Sequence, residues 1–380
     1  MKIALSFIVS VLVFGIAFPG HAEGDSKAKA LIDQILAVGR EGEGNRKASG
    51  AWRELVQLGP DALFQILPAF DQADPVAANW LRSAVDAIAE RELANRRSLP
   101  TSKLEAFVRE TKHSGSGRRL AYEWLVKVDP AAPARLLPNM LDDPGEELRR
   151  DAVAFALQDA RQLLDKNEKS TATTAYRKLL AAARDRDQVE SIAKTLKNLG
   201  QPVDLVTQFG FITQWKLVGP FENSGGNGFQ TAYPPEKGVD LTATYPGKKN
   251  QSLTWKDHAT DDPYGVVDLN KAVGKHMGAT GYAYAAVYSR KEQPVELRAG
   301  SNNAVKIFLN GRQIYFRDEY HHGMRMDQHV GRGTLKVGRN EILVKVCQNE
   351  QKEDWAQLWS FQLRVCDNLG GAIPLSVRGE

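Results

Sequence analysis

Two different spacings of hydrophobic residues divide the chain. Between residues 28 and 200, apolar residues recur at three- and four-residue steps, as in ALIDQILAVG at 30–39. This spacing puts apolar side chains on one helix face and predicts an all-α region. From about residue 211, alternating runs such as AVKIFLNGRQIYF at 304–316 predict half-buried strands instead. We therefore expect an α+β multidomain chain, a helical solenoid followed by an antiparallel β-sandwich, with the boundary near 203–212.

The helical region repeats itself. Leu67-Pro68 recurs as Leu137-Pro138, and Asp74-Pro75 recurs as Asp143-Pro144. Three alanines occupy the equivalent core position of successive second helices, namely Ala84, Ala121 and Ala152. The spacing fits three units of about 35 residues, a period typical of a solenoid in which each helix pair packs only against its neighbours.

The stretch LGPDALFQILPAFDQADPVAANWLRSAVDAIA at 58–89 resembles a HEAT repeat. Its features are a Leu-Gly-Pro turn, Pro68 late in the first helix, and Asp74-Pro75 before the second helix. Residues 125–157 match the same pattern, whereas the copy between them is degraded. The resemblance implies a helical-repeat domain over residues 23–202, with a surface that binds a protein or peptide partner.

The second half also has a family resemblance. An apolar strand, the turn Asn310-Gly311, a second strand, a polar loop, GTLKVGRNEILVKV at 333–346 and the final strand FQLRV follow in order. The Asn-Gly pair between two apolar runs is a strong hairpin signal. This order resembles the galactose-binding-like jelly roll, especially the sugar-binding domain of family 2 glycoside hydrolases. The opening Trp215 to Phe221 also resembles a domain of exported bacterial proteins. The resemblance covers about 211–370 and implies a β-sandwich domain over 211–380 that binds a carbohydrate or another extracellular ligand.

Residues 1–22 have the composition of an export signal. Lys2 precedes an apolar run that ends at Phe18, and Pro19 and Gly20 break this run. Small residues at positions 20 and 22 suit signal peptidase, so we expect cleavage after Ala22. The mature protein would then be periplasmic or extracellular and without a membrane span. An uncleaved membrane anchor is the alternative.

Composition and charge narrow the function classes. Apolar residues make up 42% of the chain and charged residues 25%, which are ordinary values for globular domains. The net charge of +4 is spread thinly, with no Lys/Arg run longer than two, and this argues against nucleic-acid binding. The sequence contains no nucleophile elbow, zinc-protease helix or phosphate-binding loop motif. Asp142-Asp143 and Asp261-Asp262 each precede a proline, so turn formation explains them. We expect a non-catalytic protein.

The stretch YHHGMRMDQH at 320–329 holds three of the seven histidines and two of the five methionines. Imidazole and thioether groups bind transition metals, so one interpretation is a metal site. The segment is predicted to be a connector between strands, however, and neighbouring residues such as His321 and His322 would point in opposite directions. The other interpretation is a polar loop that lines a ligand groove. Related lectin-like domains can hold calcium just before the hairpin, but Ser301-Asn302-Asn303 supplies no carboxylate there, so calcium is doubtful.

Polar residues at the predicted strand ends are the candidate ligand-binding groups. They flank the strands predicted at 215–219, 304–309 and 313–316, whose ends should meet at the rims of a jelly roll. The candidates are Glu222, Asn223, Asn302, Asn303, Asp318, Tyr320, His321 and His322. Planar polar groups beside an aromatic edge suit sugar hydroxyls, although the same residues also form ordinary turns.

Two further predictions concern cysteine and tryptophan. Cys347 and Cys366 are the only cysteines, and an even pair in an exported chain is more often bridged than free, so we expect a disulfide between them. Trp215, Trp355 and Trp359 lie at or near predicted strands and are expected in the core.

The sequence therefore predicts an exported, non-catalytic binding protein. The helical repeats would bind a protein partner, and the sandwich would bind carbohydrate or another extracellular ligand. Two alternatives remain open. One is a structural protein–protein scaffold with no small-molecule ligand, and the other is a metal-handling protein that uses the 320–329 loop.

Overall fold

The computed structural model describes residues 19–376, which form two compact units. The first unit comprises residues up to Glu168 together with Ala181–Ala183, and the second comprises Lys169–Leu180 and the chain from Arg184 onward. The first is helical, and the second carries antiparallel sheets. The predicted combination of an α-helical N-terminal region and C-terminal antiparallel sheets is confirmed.

Eight α-helices lie in the described part of the first unit. They are α1 Pro19–Leu36, α2 Asn45–Leu55, α3 Leu63–Ala69, α4 Pro75–Ala94, α5 Thr101–Arg109, α6 Gly115–Val128, α7 Ala132–Leu136 and α8 Glu146–Asp165. One hydrophobic core runs through these helices from Ala28 to Ala152. The predicted core positions Ala84 and Ala121 are completely buried in it.

The repeated Asp-Pro turns start helices. Asp74 caps α4, because its carboxylate accepts hydrogen bonds from Val76 N and Ala77 N, at 2.9 and 2.8 Å. Pro75 occupies the first turn, where the missing N–H costs nothing. The cap and the proline therefore fix the point at which α4 begins.

Asp143 has a second role in addition to its turn. Its carboxylate accepts from Gly145 N at 2.7 Å and forms a two-point ion pair with Arg118, at 2.8 and 2.6 Å. Arg118 is fully buried and also donates to Val108 O. This pair ties the turn before α8 to α5 and α6, so the carboxylate is used inside the helical unit.

Twelve strands lie in the described part of the second unit. They are β1 Gln214–Glu222, β2 Thr244–Pro246, β3 Ser252–Thr254, β4 Lys256–Ala259, β5 Val267–Asp268, β6 Ala279–Ser289, β7 Gln293–Ser301, β8 Val305–Leu309, β9 Arg312–Arg317, β10 His329–Leu335, β11 Gly338–Gln348 and β12 Ser360–Cys366. A six-stranded sheet has the order β4-β1-β6-β11-β8-β9, and a four-stranded sheet has the order β10-β7-β12-β5. Strands β2 and β3 form a separate two-stranded sheet.

A single apolar core lies between the two larger sheets. Ile307 and Val344 contribute from the six-stranded sheet, and Leu297 and Leu363 contribute from the four-stranded sheet, all of them completely buried. Trp215 and Trp359 are also buried there, as predicted. Alternate residues of each strand enter this core, which is the two-residue periodicity seen in the sequence.

The predicted hairpin is confirmed. Strands β8 and β9 pair antiparallel, with Leu309 opposite Arg312. Asn310 and Gly311 have φ values of 52° and 79°, the left-handed conformation that a two-residue hairpin turn requires. Asn310 also accepts from Glu341 N, which links the turn to β11.

Three helices before the first strand lie in the second unit, except that the last two residues of the first of them, Ala181 and Ala182, group with the first unit. They are α9 Lys169–Ala182, α10 Arg186–Asn198 and α11 Leu205–Phe209. Gln208 donates to Leu180 O at 3.2 Å, and Gly210 O accepts from Val365 N at 2.9 Å. The chain from 203 to 212 is therefore fastened to β12, and the predicted domain boundary lies inside this unit.

The outer face of the six-stranded sheet is covered by residues 227–255, which we call the cover segment. It contains the short helices α12 Asn227–Gln230 and α13 Pro234–Lys237. Tyr245 and Leu253 pack on this face against a second apolar cluster. A third short helix, α14 Leu269–Ala272, follows β5. Residues facing outward from this sheet are consequently buried as well.

The predicted disulfide is not formed. Both cysteines are free and buried, with Cys347 on β11 of one sheet and Cys366 on β12 of the other. Each follows a core valine, Val346 or Val365, so each points away from the core between the sheets. The prediction paired two strands that are consecutive in sequence, but β11 pairs with β6 and β8 instead.

Most of the predicted signal segment lies outside the described residues, which start at residue 19. Helix α1 begins at Pro19 and runs through the predicted cleavage position at Ala22. Among residues 19–376, no helix is long and apolar enough to cross a membrane.

Candidate functional site

The candidate residues meet at one end of the six-stranded sheet. Strands β1 and β11 run in the same direction on either side of β6, so both end at this edge. Asn223 follows β1, Asn303 precedes β8, and the loop at 318–328 follows β9. The connection 349–358 follows β11 and therefore starts at the same edge of the sheet.

Asn223 holds two of these segments together. Its side-chain amide donates to Tyr320 Oη at 3.1 Å and to Gln348 O at 2.9 Å. Its carboxamide oxygen accepts from Phe229 N at 3.0 Å. Because Asn223 is completely buried and each end of its carboxamide has partners, it positions Tyr320 and does not face a ligand.

Asn303 has the same kind of role. Its amide donates to Gln348 Oε1 and to Leu358 O, both at 2.7 Å. Its carbonyl oxygen accepts from His321 N at 3.1 Å. Asn303 is 0% exposed, so it anchors the two loops that carry His321 and Leu358.

His321 is held in an unusual conformation. Its φ is 60°, a region that non-glycine residues rarely adopt, and it is maintained by the bond to Asn303. Its Nε2 lies 2.8 Å from Asn349 Oδ1, an oxygen that also accepts from Gln351 N at 3.0 Å. Because Asn349 Oδ1 can only accept, Nε2 carries the imidazole proton and Nδ1 of the neutral ring is an acceptor.

Trp355 is exposed beside His321, and the prediction that it belongs to the core is wrong. Its side chain is 62% exposed, and its ring lies edge-to-face with the His321 ring at 5.5 Å. Leu358 is also exposed, at 55%. The connection between β11 and β12 projects beyond the sheets, so the Trp355 ring faces solvent and not the core. We call Tyr320, His321, Glu350, Trp355 and Leu358 the rim surface.

The rim surface contains one carboxylate, Glu350, and a second carboxylate, Asp318, lies on the loop that carries Tyr320. Burial raises the pKa of the Tyr320 hydroxyl, and the negative charges of Asp318 and Glu350 raise it further, although the bond from Asn223 opposes them. Both carboxylates are exposed. Glu350 is oriented by Gly225 N, which donates to its Oε1 at 2.7 Å. Two acidic groups therefore lie close enough to Tyr320 to act on its hydroxyl.

Glu222 is occupied by other contacts. Its carboxylate pairs with Lys248 and accepts from Ser224 Oγ at 2.6 Å. The hydrogen bonds from Lys248 and Ser224 lower the pKa of Glu222 to about 2. This carboxylate therefore fastens the end of β1 to the cover segment.

Asn302 and His322 form a separate contact. Asn302 O accepts from His322 N at 3.2 Å, and the Asn302 side chain accepts from Ser360 Oγ. The His322 ring turns toward Gln328 and His329, whereas the His321 ring turns toward Asn349. The predicted divergence of the two adjacent imidazoles is confirmed.

The His322 ring is unsuited to a metal. Gln328 Oε1 accepts from Ser301 N and Arg325 N, so its amide nitrogen donates to His322 Nδ1 at 2.8 Å. The proton of neutral His322 is then on Nε2, which removes the lone pair a metal would use. Among residues 19–376, no three His, Cys, Asp or Glu side chains could hold a metal ion.

Calcium does not fit the Ser301–Asn303 segment. Ser301 Oγ donates to Asn303 O at 2.9 Å, and the side-chain oxygens of Asn302 and Asn303 already accept hydrogen bonds. The segment supplies no carboxylate, and calcium sites usually require several.

The pattern of the sequence did not indicate Gln348, Asn349, Glu350 or Trp355. These residues follow β11 in a polar stretch that resembles any surface connection. Their importance depends on β11 ending beside β1, and sheet order is not visible from strand periodicity. The one available signal was a tryptophan within a run of charged residues, NEQKEDW at 349–355.

The sequence matches no protein-family model and no curated protein. Among solved structures, it is similar to an anti-sigma factor domain-containing protein at 11% identity and a TM-score of 0.25, covering 42% of this chain and 43% of that chain. A family 35 carbohydrate-binding module from an environmental isolate has 17% identity and a TM-score of 0.18, with coverage of 26% and 75%. Beta-glucosidase from Kluyveromyces marxianus in complex with glucose has 9% identity and a TM-score of 0.27, with coverage of 82% and 38%. The chain thus spans less than half of the first and third of these structures.

Proposed function

We propose that this chain is an exported, non-catalytic binding protein and that its second unit binds carbohydrate at the rim surface. The observation that carries the proposal is the exposed Trp355 ring beside an immobilised His321. A large apolar ring held open to water is costly to maintain and suits the apolar face of a sugar ring.

Buried residues beneath the rim surface hold its side chains in fixed positions. Asn223 and Asn303 are buried, and their hydrogen bonds fix Tyr320 and His321 before any ligand arrives. Binding groups that are already ordered lose little conformational entropy on association, which favours affinity. The polar groups left for a ligand are His321 Nδ1, the Tyr320 O–H, the Trp355 indole N–H and the carboxylate of Glu350.

We further propose a galactose-binding-like jelly roll for the second unit and a HEAT-like solenoid for the first. The two packed antiparallel sheets and the Asn310-Gly311 hairpin support the former. Helix starts at Asp74-Pro75 and the buried Arg118–Asp143 pair support the latter.

A protein partner at the helical unit is a second proposed function. Arg82 pairs with Glu123, and Arg119 contacts both Glu123 and Asp151, at 3.7 and 3.2 Å. This row crosses α4, α6 and α8, so one face presents alternating charges. Such a face suits a partner of complementary charge, and it is the feature that favours the scaffold alternative.

Carbohydrate binding is tested with the purified protein. A glycan array identifies candidate ligands, and calorimetry then compares wild type with Trp355→Ala. We expect about a tenfold loss of affinity, because truncating a central tryptophan of a binding surface typically costs more than about 1 kcal/mol. Val337→Ala is the matched control, because Val337 is also exposed but lies before β11, at the opposite end from Gln348. If no glycan binds at millimolar concentration, the carbohydrate proposal is wrong and the scaffold alternative is favoured.

A further inference from the structure

We propose that the rim surface selects a sugar that carries a protonated amine, that is, an amino sugar without its acetyl group. The inference rests on the proposed carbohydrate binding and names the class of ligand. It follows from the balance of hydrogen-bond acceptors, donors and charge at this surface.

The rim surface offers more acceptors than donors. In its neutral form, His321 presents Nδ1 as an acceptor, because Asn349 accepts from Nε2. Glu350 and Asp318 present carboxylate oxygens, which can only accept when ionised. A neutral sugar brings hydroxyls that donate and accept equally, whereas an ammonium group brings three donors and no acceptor.

Glu350 is held in place without a cation. Its Oε1 accepts from Gly225 N, and its side chain lies against Gly278, where a Cβ would come within 2.8 Å of that oxygen. Gly278 has a φ of 55°, so a glycine there both permits the turn and leaves room for Glu350. In the described part of the chain, Glu350 has no Lys or Arg within ion-pair distance.

Asp318 is similarly available. Its contact is a long hydrogen bond from Gln230 Nε2, at 3.4 Å to Oδ2. Between residues 19 and 376, it has no ion-pair partner either. The nearby carboxylates differ, because Glu222 is paired with Lys248 and Glu319 with Arg317. Asp318 and Glu350 both lie near enough to Tyr320 for their charges to raise the pKa of its hydroxyl.

Trp355 completes a cation-binding arrangement. An ammonium group over an indole ring is attracted by the ring's π electrons, and tryptophan gives the strongest such interaction. The connection 349–358 that carries the ring contains three carboxylates and one lysine, Lys352, so its net charge is negative. Aromatic and acidic groups together favour a cationic sugar over a neutral one.

The expected preference is modest, because these charges are exposed to water. One exposed ion pair raises affinity by up to about fivefold. We expect two such ion pairs together with a cation–π contact to raise affinity about tenfold. Titration calorimetry at pH 6.5 compares two tetrasaccharides that differ only in acetylation, β-1,4-linked glucosamine and β-1,4-linked N-acetylglucosamine. We expect the glucosamine tetramer to bind about tenfold more tightly at 50 mM NaCl. This advantage should shrink severalfold at 500 mM NaCl.

Two variants assign the preference to its residues. Glu350→Gln with Asp318→Asn should remove most of the preference for the glucosamine tetramer over the acetylated tetramer. Glu319→Gln is the control, because Glu319 is exposed and adjacent to Asp318 but is paired with Arg317. Equal affinity for the two tetramers would overturn the amino-sugar inference while leaving carbohydrate binding intact. A preference that survives in the double variant would overturn the role of these carboxylates. Absence of binding to every glycan would instead reject the proposed function.

Discussion

Arg364 forms a two-point ion pair with Asp327, in which Arg364 Nε lies 2.6 Å from Asp327 Oδ1. Arg364 is 1% exposed and lies on β12, whereas Asp327 belongs to the loop that carries Tyr320 and His321. Arg298 on β7 donates to the same carboxylate at 3.1 Å. The loop that shapes the rim surface is therefore fastened to the four-stranded sheet by charge.

Replacing Asp327 by Asn should destabilise the protein strongly. The change keeps the size of the side chain but leaves the buried Arg364 without a counter-charge, which costs about 3 kcal/mol. Burial alone would raise the pKa of Asp327, but the hydrogen bonds and charge of Arg364 outweigh it, and the pKa is lowered. The stabilisation is therefore present at neutral pH and is lost as pH falls below about 4. Urea unfolding at pH 7 measures the cost, and Asp318→Asn, on the exposed part of the same loop, should change stability little.

His329 should make the second unit sensitive to acid. Burial, followed by the charges of His322 and Arg317, lowers the pKa of His329 to about 4, while Glu319 opposes this shift. In the unfolded chain, His329 becomes protonated as the pH falls through about 6.5. In the folded chain, it stays neutral until the pH approaches about 4. Stability should therefore fall by up to about 3 kcal/mol between pH 6.5 and pH 4.

His329→Gln tests that dependence, because glutamine does not titrate and can still bond to Tyr315, which lies 3.0 Å from His329 Nδ1. The loss of melting temperature between pH 7 and pH 4.5 should be smaller in this variant than in wild type. His258→Gln on β4 should leave the wild-type dependence in place. An identical pH profile for His329→Gln and wild type would contradict the prediction.

Much of the fold could be predicted from local pattern. The Asp74-Pro75 helix start, the Asn310-Gly311 hairpin and the alternation of β11 depend on neighbouring residues, and the sequence displays those directly. The grouping of residues 169–200 with the sheets could not be predicted in this way. It depends on contacts such as Gln208 with Leu180, which no periodicity encodes.

The strand ends indicated by the sequence do meet at one edge of the sheet, but their side chains do not all reach the surface. Asn223 and Asn303 are completely buried there and hold the neighbouring loops. Burial at a strand end depends on what the cover segment and the connection 349–358 place above it. For the same reason, Trp355 was predicted in the core although its ring faces solvent.

Lys345 should be indispensable to the cover segment. Its ammonium group is completely buried and donates to Phe229 O at 3.1 Å, Thr231 O at 2.8 Å and Glu236 Oε1 at 2.7 Å. Lys345→Met leaves the buried Glu236 carboxylate with the Tyr282 hydroxyl but without a counter-charge, and it removes a donor from two carbonyls, so we expect a loss of about 3–5 kcal/mol in unfolding free energy.

The double change Lys345→Met with Glu236→Leu should recover part of the lost stability, because it also removes the buried carboxylate that lacks a counter-charge. Urea unfolding of the single and double variants measures the difference. Lys216→Met is the control, since Lys216 on β1 pairs with Asp257 at an exposed position and should matter little. A double variant less stable than Lys345→Met would contradict this account.

Cys347 and Cys366 should remain thiols. Burial raises the pKa of each to about 11, so neither forms the reactive thiolate at neutral pH. Native protein should not react with a thiol reagent at pH 8, and denatured, unreduced protein should titrate two thiols. Fewer than two thiols in the denatured sample would show that the cysteines are oxidised.

Asn302 and Asn303 should differ in how much stability they lose on replacement by aspartate. The amide of Asn303 donates to two acceptors, Gln348 Oε1 and Leu358 O, so a carboxylate in Asn303→Asp would face two oxygens at close range. We expect a loss of about 3 kcal/mol or more, since a buried charge would lack any donor except His321 N. The oxygen of Asn302 accepts from Ser360 Oγ, a bond that an aspartate can keep, so Asn302→Asp should cost much less. The melting temperatures and glycan affinities of the two variants test this difference. If both tolerate aspartate equally, Asn303 does not anchor the rim surface.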